Sequence, residues 1–194
     1  MIVKDINQIE NKKFTVIIIG SGIAGISVAL KLEKKGIETL IIESGNLDYD
    51  EKSQKFLKVD SIGDHKGDFT ANRLRQFGGS SNIWGGNCNP MNEENFIDWP
   101  IKKKDLDQYE NEAREFLKLR NNFFQEGFNK NLNIYNLVWS KVKIDKDYYH
   151  HIKKSNLIHL SLETTFLNFK NIGKSIISID CKKKNINFNL KSKF

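Results

Sequence analysis

Alternating apolar and polar stretches divide the start of the chain into a strand, a helix and a second strand. Residues 14–19 are rich in β-branched side chains and apolar on both faces, which is typical of a strand buried in a parallel sheet. Residues 23–35 carry apolar side chains at helical spacing. This segment ends with two lysines and is followed by Gly36, as expected where a helix stops. A second apolar run follows at 39–42. Strand, helix and strand within about 30 residues predict a right-handed βαβ unit over residues 14–45.

The rest of the chain has a less regular pattern that still predicts further elements. Apolar side chains recur every three or four positions in two stretches, and short apolar runs between polar turns indicate strands. The predicted elements are an amphipathic helix over 103–119, a helix over 141–154, and strands over 156–162, 175–181 and 186–190. Together with the βαβ unit, this strand-rich tail at 156–190 predicts an α/β fold.

Composition and charge are those of an ordinary globular chain. Its 194 residues, 39% hydrophobic and 28% charged, suit one domain with at most a partial second one. The net charge of +7 comes nearly all from lysine. The lysine runs at 102–104 and 182–184 lack interleaved aromatic and arginine residues, so we expect solvated faces and no nucleic-acid partner.

Targeting and cysteine signals point to a soluble protein in a reducing compartment. The first 13 residues carry charges throughout and have no apolar core of signal-peptide length. No apolar run reaches the ~18 residues needed to span a bilayer. Cys88 and Cys181 have neither metal-ligand nor redox spacing, and two cysteines do not imply a disulfide framework. We therefore expect a cytoplasmic protein without a transmembrane segment.

Three glycines between the first strand and the first helix form the pattern Gly20-x-Gly22-x-x-Gly25. Gly20 permits a tight turn, Gly22 lets the backbone approach a pyrophosphate, and Gly25 lets the helix pack closely on the sheet. The helix then directs its free N–H groups and its partial positive charge at the phosphates. We assign these glycines to cofactor binding together with the residues between them. The added residues are Ser21, Ile23 and Ala24.

An acidic residue follows at the end of the second strand. Glu43 lies 18 residues after Gly25, where it can accept hydrogen bonds from a ribose diol. An acid at this position disfavours NADP, because it would repel a 2′-phosphate. The residues alone leave NAD and FAD both open as the bound dinucleotide.

A second glycine-rich segment over residues 73–87 resembles a known family. Arg73-x-Arg75-x-Phe77 precedes Gly78-Gly79-Ser80-Ser81-Asn82-x-Trp84-Gly85-Gly86. This resembles the second FAD motif of the glucose–methanol–choline (GMC) oxidoreductases, and most of all the branch that acts on sugars and polyols. Trp99-Pro100-Ile101 and Asp105-Leu106-x-x-Tyr109-Glu110-x-x-Ala113 are similar to the stretch that follows in that branch. The resemblance covers roughly residues 14–119.

The resemblance implies a Rossmann-like FAD-binding fold and a set of cofactor-binding residues. It favours FAD over NAD, in part through Ser44 after Glu43. Ile83 stands where some members attach the flavin covalently through a histidine, so non-covalent FAD is expected. The further cofactor residues it implies are Glu43, Ser44, Arg75, Gly78, Gly79, Ser80, Asn82, Trp84 and Gly85.

Residues 1–194 then correspond to the N-terminal portion of an FAD-binding domain, and the fold is expected to be incomplete. The family's substrate domain and catalytic histidine lie toward the C-terminus and have no counterpart here, so no catalytic residue is named. The implied function is the FAD-binding portion of an oxidoreductase that oxidises the CH–OH group of a small-molecule alcohol or sugar. The chain would then be truncated or split, and in the second case a separate chain would supply the C-terminal half. We expect this chain to be inactive alone and poorly stable, with an exposed sheet edge.

The histidines offer neither a catalytic base nor a metal site by their spacing. None of the four falls in a matching motif, and no carboxylate or cysteine stands at ligand spacing beside them. We expect surface or incidental histidines at His65, His150, His151 and His159. Two alternatives stay open. The chain could be a non-catalytic nucleotide-binding remnant, or an NAD-binding Rossmann protein of another family.

Overall fold

The structure is a computed structural model of the chain, and it describes residues 1–60, 62–63, 70–119, 124–125, 134–135 and 138–193. The chain divides into two units, Met1–Ile83 with Lys143–Phe194, and Trp84–Val142. The α-helices are α1 (Ile23–Lys34), α2 (Glu51–Gln54), α3 (Lys103–Asp107), α4 (Glu110–Phe116), α5 (Ile144–Asp147) and α6 (Tyr149–Lys154). The strands are β1 (Val16–Ile19), β2 (Thr39–Ile42), β3 (Asn87–Cys88), β4 (Phe124–Gln125), β5 (Ile134–Tyr135), β6 (Val138–Trp139), β7 (Ile158–Ser161), β8 (Thr164–Ile172), β9 (Ser175–Lys183) and β10 (Ile186–Leu190).

A parallel sheet of order β1-β2-β7 forms the centre of the first unit. β1 pairs with β2 in parallel, and α1 connects the two, so the predicted βαβ unit is present. β2 is the middle strand and is buried along its whole length. β1 was expected to be buried as well, but it lies at one edge of the sheet and is only partly covered, with Ile19 46% exposed. The α/β class inferred from the sequence is confirmed.

The antiparallel sheet of the first unit has the order β10-β9-β8 and contributes to the main hydrophobic cluster. This cluster joins side chains of β2, β9 and β10 with the first residues of the chain, for which the sequence predicted no element. Its buried members are Val3, Ile6, Ile9, Phe14, Leu40, Ile42, Ile179, Cys181, Phe188 and Leu190. The amino-terminal segment also joins the parallel sheet, because the N–H of Val3 donates to the carbonyl of Leu160 at 2.8 Å.

Strand β8 was not predicted from the sequence. Its nine residues include two asparagines and a lysine, which are depleted in strands, and its register with β9 is interrupted twice. Its threonine and phenylalanine residues favour a strand, and the pairing with β9 continues the strand across the polar residues between them. The other predicted strands of the tail are present at β7, β9 and β10, within a few residues of the expected bounds.

The second unit contains the helix predicted over residues 103–119, which the structure divides into α3 and α4. Its apolar stripe is not well covered within the described part of the unit, since Leu106 and Tyr109 are 39% and 51% exposed. The helix predicted over 141–154 is likewise divided, into α5 and α6 of the first unit. Among the described residues, none of the helices has the length and apolar character required to cross a membrane.

Two polar residues expected on the surface are instead buried in the first unit. Lys183 is 6% exposed and its ammonium donates to the carbonyl of Leu162 at 2.6 Å. Burial lowers the pKa of this ammonium below its ordinary value. The other two residues of its lysine run, at positions 182 and 184, are exposed, as expected. Successive side chains of a strand point to opposite faces of the sheet, so Lys183 faces the interior where its two neighbours face the solvent.

His159 in β7 is the second buried polar residue, with 4% exposure. Its Nε2 lies 2.9 Å from Oε1 of Glu38, and its ring packs edge-on against Phe14. Its Nδ1 has no hydrogen-bond partner among the described residues. Burial, followed by the charge of Lys12, lowers the pKa of this imidazole. His150 and His151 are exposed as expected, and His65 lies outside the described residues.

Candidate functional site

The first glycine turn connects β1 to α1 with the geometry that its sequence predicts. Gly20 has a φ of +95°, which a residue with a side chain rarely adopts, and its N–H donates to the carbonyl of Ile42 at 2.8 Å. A Cβ built on Gly25 would lie 2.2 Å from the carbonyl oxygen of Gly20, so only glycine permits this approach of helix and turn. Gly22 precedes α1, and no side chain caps the N–H groups that begin the helix at Ile23 and Ala24.

The carboxylate of Glu43 is buried at the end of β2, where it organises the turn around it. Its Oε2 accepts the N–H of Ser21 at 2.9 Å and the hydroxyl of Ser21 at 2.6 Å. Its Oε1 accepts the N–H of Gly45 at 2.8 Å, and the Ser44 hydroxyl is more distant at 3.4 Å. A carboxylate oxygen can accept about two hydrogen bonds, and on Oε1 the long contact from Ser44 is the weaker of the two.

The second glycine segment is held directly against the first, although the two are far apart in sequence. The N–H of Gly78 donates to the hydroxyl oxygen of Ser21 at 3.1 Å, across a separation of 57 residues. A Cβ built on Gly79 would lie 3.8 Å from the Cα of Gly22. The N–H of Phe77 is anchored on the carbonyl of Asn46 at 2.8 Å. The structure thus brings both predicted glycine segments together at the N-terminal end of α1.

Several polar residues of the second segment shape the loop itself. Asn82 donates from Nδ2 to the carbonyl of Phe77 at 2.7 Å and accepts the N–H of Asp145 on Oδ1 at 3.2 Å. It packs so closely under Gly78 that a Cβ there would lie 2.6 Å from Oδ1. The hydroxyl of Ser80 accepts the N–H of Leu74 at 3.3 Å. These contacts stabilise the turn that presents Gly78.

The side chain of Arg75, which the resemblance assigns to cofactor binding, has partners within the protein. Its guanidinium donates to the hydroxyl of Thr165 at 2.8 Å and lies over the ring of Phe56, 4.5 Å from the centroid. Its side chain thus has protein partners on β8 and beside α2. Arg75 therefore joins these elements to the second glycine segment.

Trp84 and Gly85 belong to the second unit. The indole Nε1 of Trp84 donates to the carbonyl of Val142 at 3.0 Å. The neighbouring Gly86 has a φ of +78°, and a Cβ on it would lie 2.2 Å from the carbonyl oxygen of Ser140. Gly86 therefore serves the pairing of β3 with β6, whereas Gly78 and Gly79 lie against the first glycine turn.

The sequence did not assign Gly45 and Asn46, which connect the end of β2 to the second segment. A Cβ built on Gly45 would lie 2.2 Å from the carbonyl oxygen of Arg75, so glycine is required at this crossing. Asn46 forms a parallel bridge with Gln76. The signal in the sequence was the glycine directly after Glu43 and Ser44. Glycine is required there only because a segment 30 residues later crosses it.

Comparison with known proteins agrees with this geometry. Residues 13–61, which contain the whole βαβ unit, match a family model described as an FAD binding domain. FAD is the cofactor of this fold. No curated protein matches the chain in sequence.

Solved structures show the same fold at low sequence identity. Pyridoxine 4-oxidase from Mesorbium loti superposes with a TM-score of 0.59 and 15% identity over 93% of this chain and 48% of the other. An FAD-dependent oxidoreductase from Chaetomium thermophilum superposes with a TM-score of 0.64 and 13% identity over 93% of this chain and 44% of the other. The chain thus spans less than half the length of either protein.

The residues present fit the diphosphate of this cofactor. A Cβ built on Gly20 or Gly22 would meet no atom within 4 Å, so open space lies beside the turn at the start of α1. The uncapped N–H groups of that helix are donors of the kind that bind phosphate oxygens. Glu43 adds one acceptor at the end of β2.

Proposed function

We propose that the chain is the FAD-binding part of an oxidoreductase that oxidises the CH–OH group of an alcohol or sugar. The convergence of the two glycine segments carries this proposal. Ser21 and Gly78 are hydrogen-bonded, and Gly79 lies against Gly22, at the N-terminal end of α1. A glycine turn with a purely structural role would not require a second glycine-rich segment packed against it. The substrate class follows the resemblance to the GMC oxidoreductases.

Each part of the site has a proposed task. The glycine turn and the first N–H groups of α1, at Ile23 and Ala24, bind the pyrophosphate. Glu43 accepts a ribose hydroxyl on Oε1, which has one close protein donor. Backbone groups of Gly78 and Gly79 would also border the cofactor, because the lack of side chains permits close approach.

The bound flavin would supply the redox chemistry, by accepting a hydride from the substrate carbon. The described residues hold and orient the cofactor, and we assign none of them as the base. Ile83 offers no nucleophile for attachment, so we propose that FAD is held without a covalent bond.

A C-terminal half is proposed to complete the site, either on the same polypeptide or on a second one. The sheet edge supports this. β1 is an edge strand, and an apolar cavity of about 320 Å³ opens between it and the antiparallel sheet, with Ile17, Phe169 and Ile176 among its lining residues. Ser192 forms a parallel bridge with Phe14 just before β1. An extended segment of the C-terminal half that continues this direction would pair with β1 and cover the cavity.

The experiment is an absorbance spectrum of the purified chain after addition of FAD and gel filtration. We expect retained bands near roughly 370 and 450 nm, the usual positions for a bound flavin. Precipitation with acid should release the flavin into the supernatant, because no covalent bond is formed. A folded chain that retains no flavin would refute the proposal, and retention of NAD in a parallel sample would favour the NAD-binding alternative.

A second measurement separates an incomplete enzyme from a non-catalytic remnant. A C-terminal half encoded beside this chain and co-expressed with it should co-purify, raise the urea midpoint of unfolding and confer reduction of the flavin by an alcohol or sugar. Retained FAD without such reduction, in the co-purified pair, would support the remnant.

A further inference from the structure

The hydroxyl group of Ser21 is buried between the two glycine segments and bonded to both sides. Ser21 is 0% exposed. Its hydroxyl donates to Oε2 of Glu43 at 2.6 Å, and its oxygen accepts the N–H of Gly78 at 3.1 Å. The only proton of the hydroxyl is therefore engaged with the protein, and its oxygen already accepts one donor. The assignment of Ser21 to cofactor binding stays a prediction.

The chemistry of the partners determines the direction of both hydrogen bonds. The N–H of Gly78 can only donate, and an ionised carboxylate at Glu43 can only accept. The hydroxyl is the one group between them that does both. Hydrogen bonds in such a chain polarise one another, so each is strengthened by the next.

We propose that Ser21 is a positioning residue of the FAD site, which transmits the position of Glu43 to the second glycine loop. The proposal rests on the proposed function, since it concerns the same site. Through Ser21, the carboxylate proposed to bind the ribose also sets the place of Gly78, and with it that of Gly79 against Gly22. The two glycine segments are thus held in their binding arrangement before the cofactor arrives.

The decisive variant is Ser21→Ala, measured in the full chain. It leaves the buried N–H of Gly78 without its acceptor and removes one donor from Glu43. A buried group left unsatisfied, together with a lost charge-assisted hydrogen bond, corresponds to about a tenfold or greater loss of affinity. We expect FAD affinity, measured by flavin fluorescence, to fall by about that factor. We also expect the Gly78 amide to exchange at least about tenfold faster by hydrogen-exchange NMR without FAD.

Ser27→Ala is the matched control. Ser27 lies in α1, directly after the turn that contains Ser21, and its hydroxyl donates at 2.8 Å to the carbonyl of Ala24 within the helix. Its removal should change neither the FAD affinity nor the exchange of Gly78. The amide of Ile41 in β2 serves as an internal reference, because a general loss of stability would accelerate its exchange as well.

Glu43→Gln tests the same relay from its other end and serves where Ser21→Ala fails to fold. The relay predicts faster Gly78 exchange in this variant, although Glu43 does not contact Gly78. In the double variant, the effect of Ser21→Ala should be smaller than in the wild-type background, because both substitutions break one chain of hydrogen bonds.

The outcomes separate this inference from the proposed function. Selective acceleration at Gly78 in both variants, with weaker FAD binding, supports the relay. Unchanged Gly78 exchange in a folded Ser21→Ala or Glu43→Gln chain overturns it, as does unchanged FAD affinity. If the wild-type chain binds no FAD, the proposed function fails, while Gly78 exchange in the FAD-free chain still decides whether Ser21 positions the loop.

Discussion

Replacing Gly25 with alanine tests the close contact between helix α1 and the glycine turn. The added Cβ would lie 2.2 Å from the carbonyl oxygen of Gly20 and 3.2 Å from Cγ2 of Ile18. Since non-bonded heavy atoms prefer about 3.5 Å, the helix must move by about 1 Å. Overpacking costs about 1–3 kcal/mol, and we expect about 3 kcal/mol because the obstructing atom belongs to the backbone. With a urea slope of about 2 kcal/mol per molar, the unfolding midpoint should fall by about 1.5 M.

Urea unfolding, followed by tryptophan fluorescence and far-UV circular dichroism, measures this change. Gly22→Ala is the matched control, because it adds the same methyl group three residues earlier in the chain. Gly22 has a φ of −65°, and its Cβ would meet no atom within 4 Å. Its free energy of unfolding should change by no more than about 0.5 kcal/mol. FAD affinity should nevertheless fall in Gly22→Ala, because the methyl group enters the space proposed for the pyrophosphate.

Two results would refute this reasoning. Equal urea midpoints for Gly25→Ala and Gly22→Ala would show that helix and turn do not approach as described. Unchanged FAD affinity in Gly22→Ala would show that the pyrophosphate does not lie beside Gly22.

Three further predictions concern other parts of the chain. Asn82→Ala should lower the free energy of unfolding by about 1–2 kcal/mol, since the Phe77 carbonyl loses its donor; an unchanged denaturation curve would contradict this. Burial lowers the pKa of His159, so below about pH 6.5 the unfolded chain binds a proton that the folded chain does not. The melting temperature should therefore fall as the pH drops below that value. In His159→Gln it should fall less. Gly86→Ala should destabilise the β3–β6 pairing by about 2 kcal/mol or more, measured by amide exchange, while Gly85→Ala, whose Cβ has its nearest atom at 4.0 Å, should not.

The βαβ unit could be predicted because its signals are local. A β-branched strand, a glycine turn, an amphipathic helix and an acid at the next strand end follow one another within the first 45 residues. Gly25 is required by the carbonyl of Gly20 only five positions away, and Gly20 by its own φ of +95°. The helix bounds came out within one residue, 23–35 against Ile23–Lys34.

Elements that depend on distant partners could not be predicted in the same way. β8 contains threonine, phenylalanine and isoleucine residues typical of strands, but polar residues at 168, 170 and 171 interrupt its pattern, and the pairing with β9 extends the strand across them. The burial of His159 follows from the packing of β7 on Phe14, and that of Lys183 from the alternation of β9 over the β7–β8 turn. A local sequence pattern contains no information on these neighbours.

The sequence by itself determined the dinucleotide turn, its acid and the presence of a second glycine-rich segment, since these depend on residue type and short spacing. Only the tertiary structure decided how that segment is used. It places Gly78 and Gly79 against the first turn, assigns Gly86 to a strand pair of the second unit, and inserts Ser21 between Glu43 and Gly78. The physical reason is that a hydrogen bond across 57 residues is determined by the packing of the whole unit and leaves no trace in local periodicity.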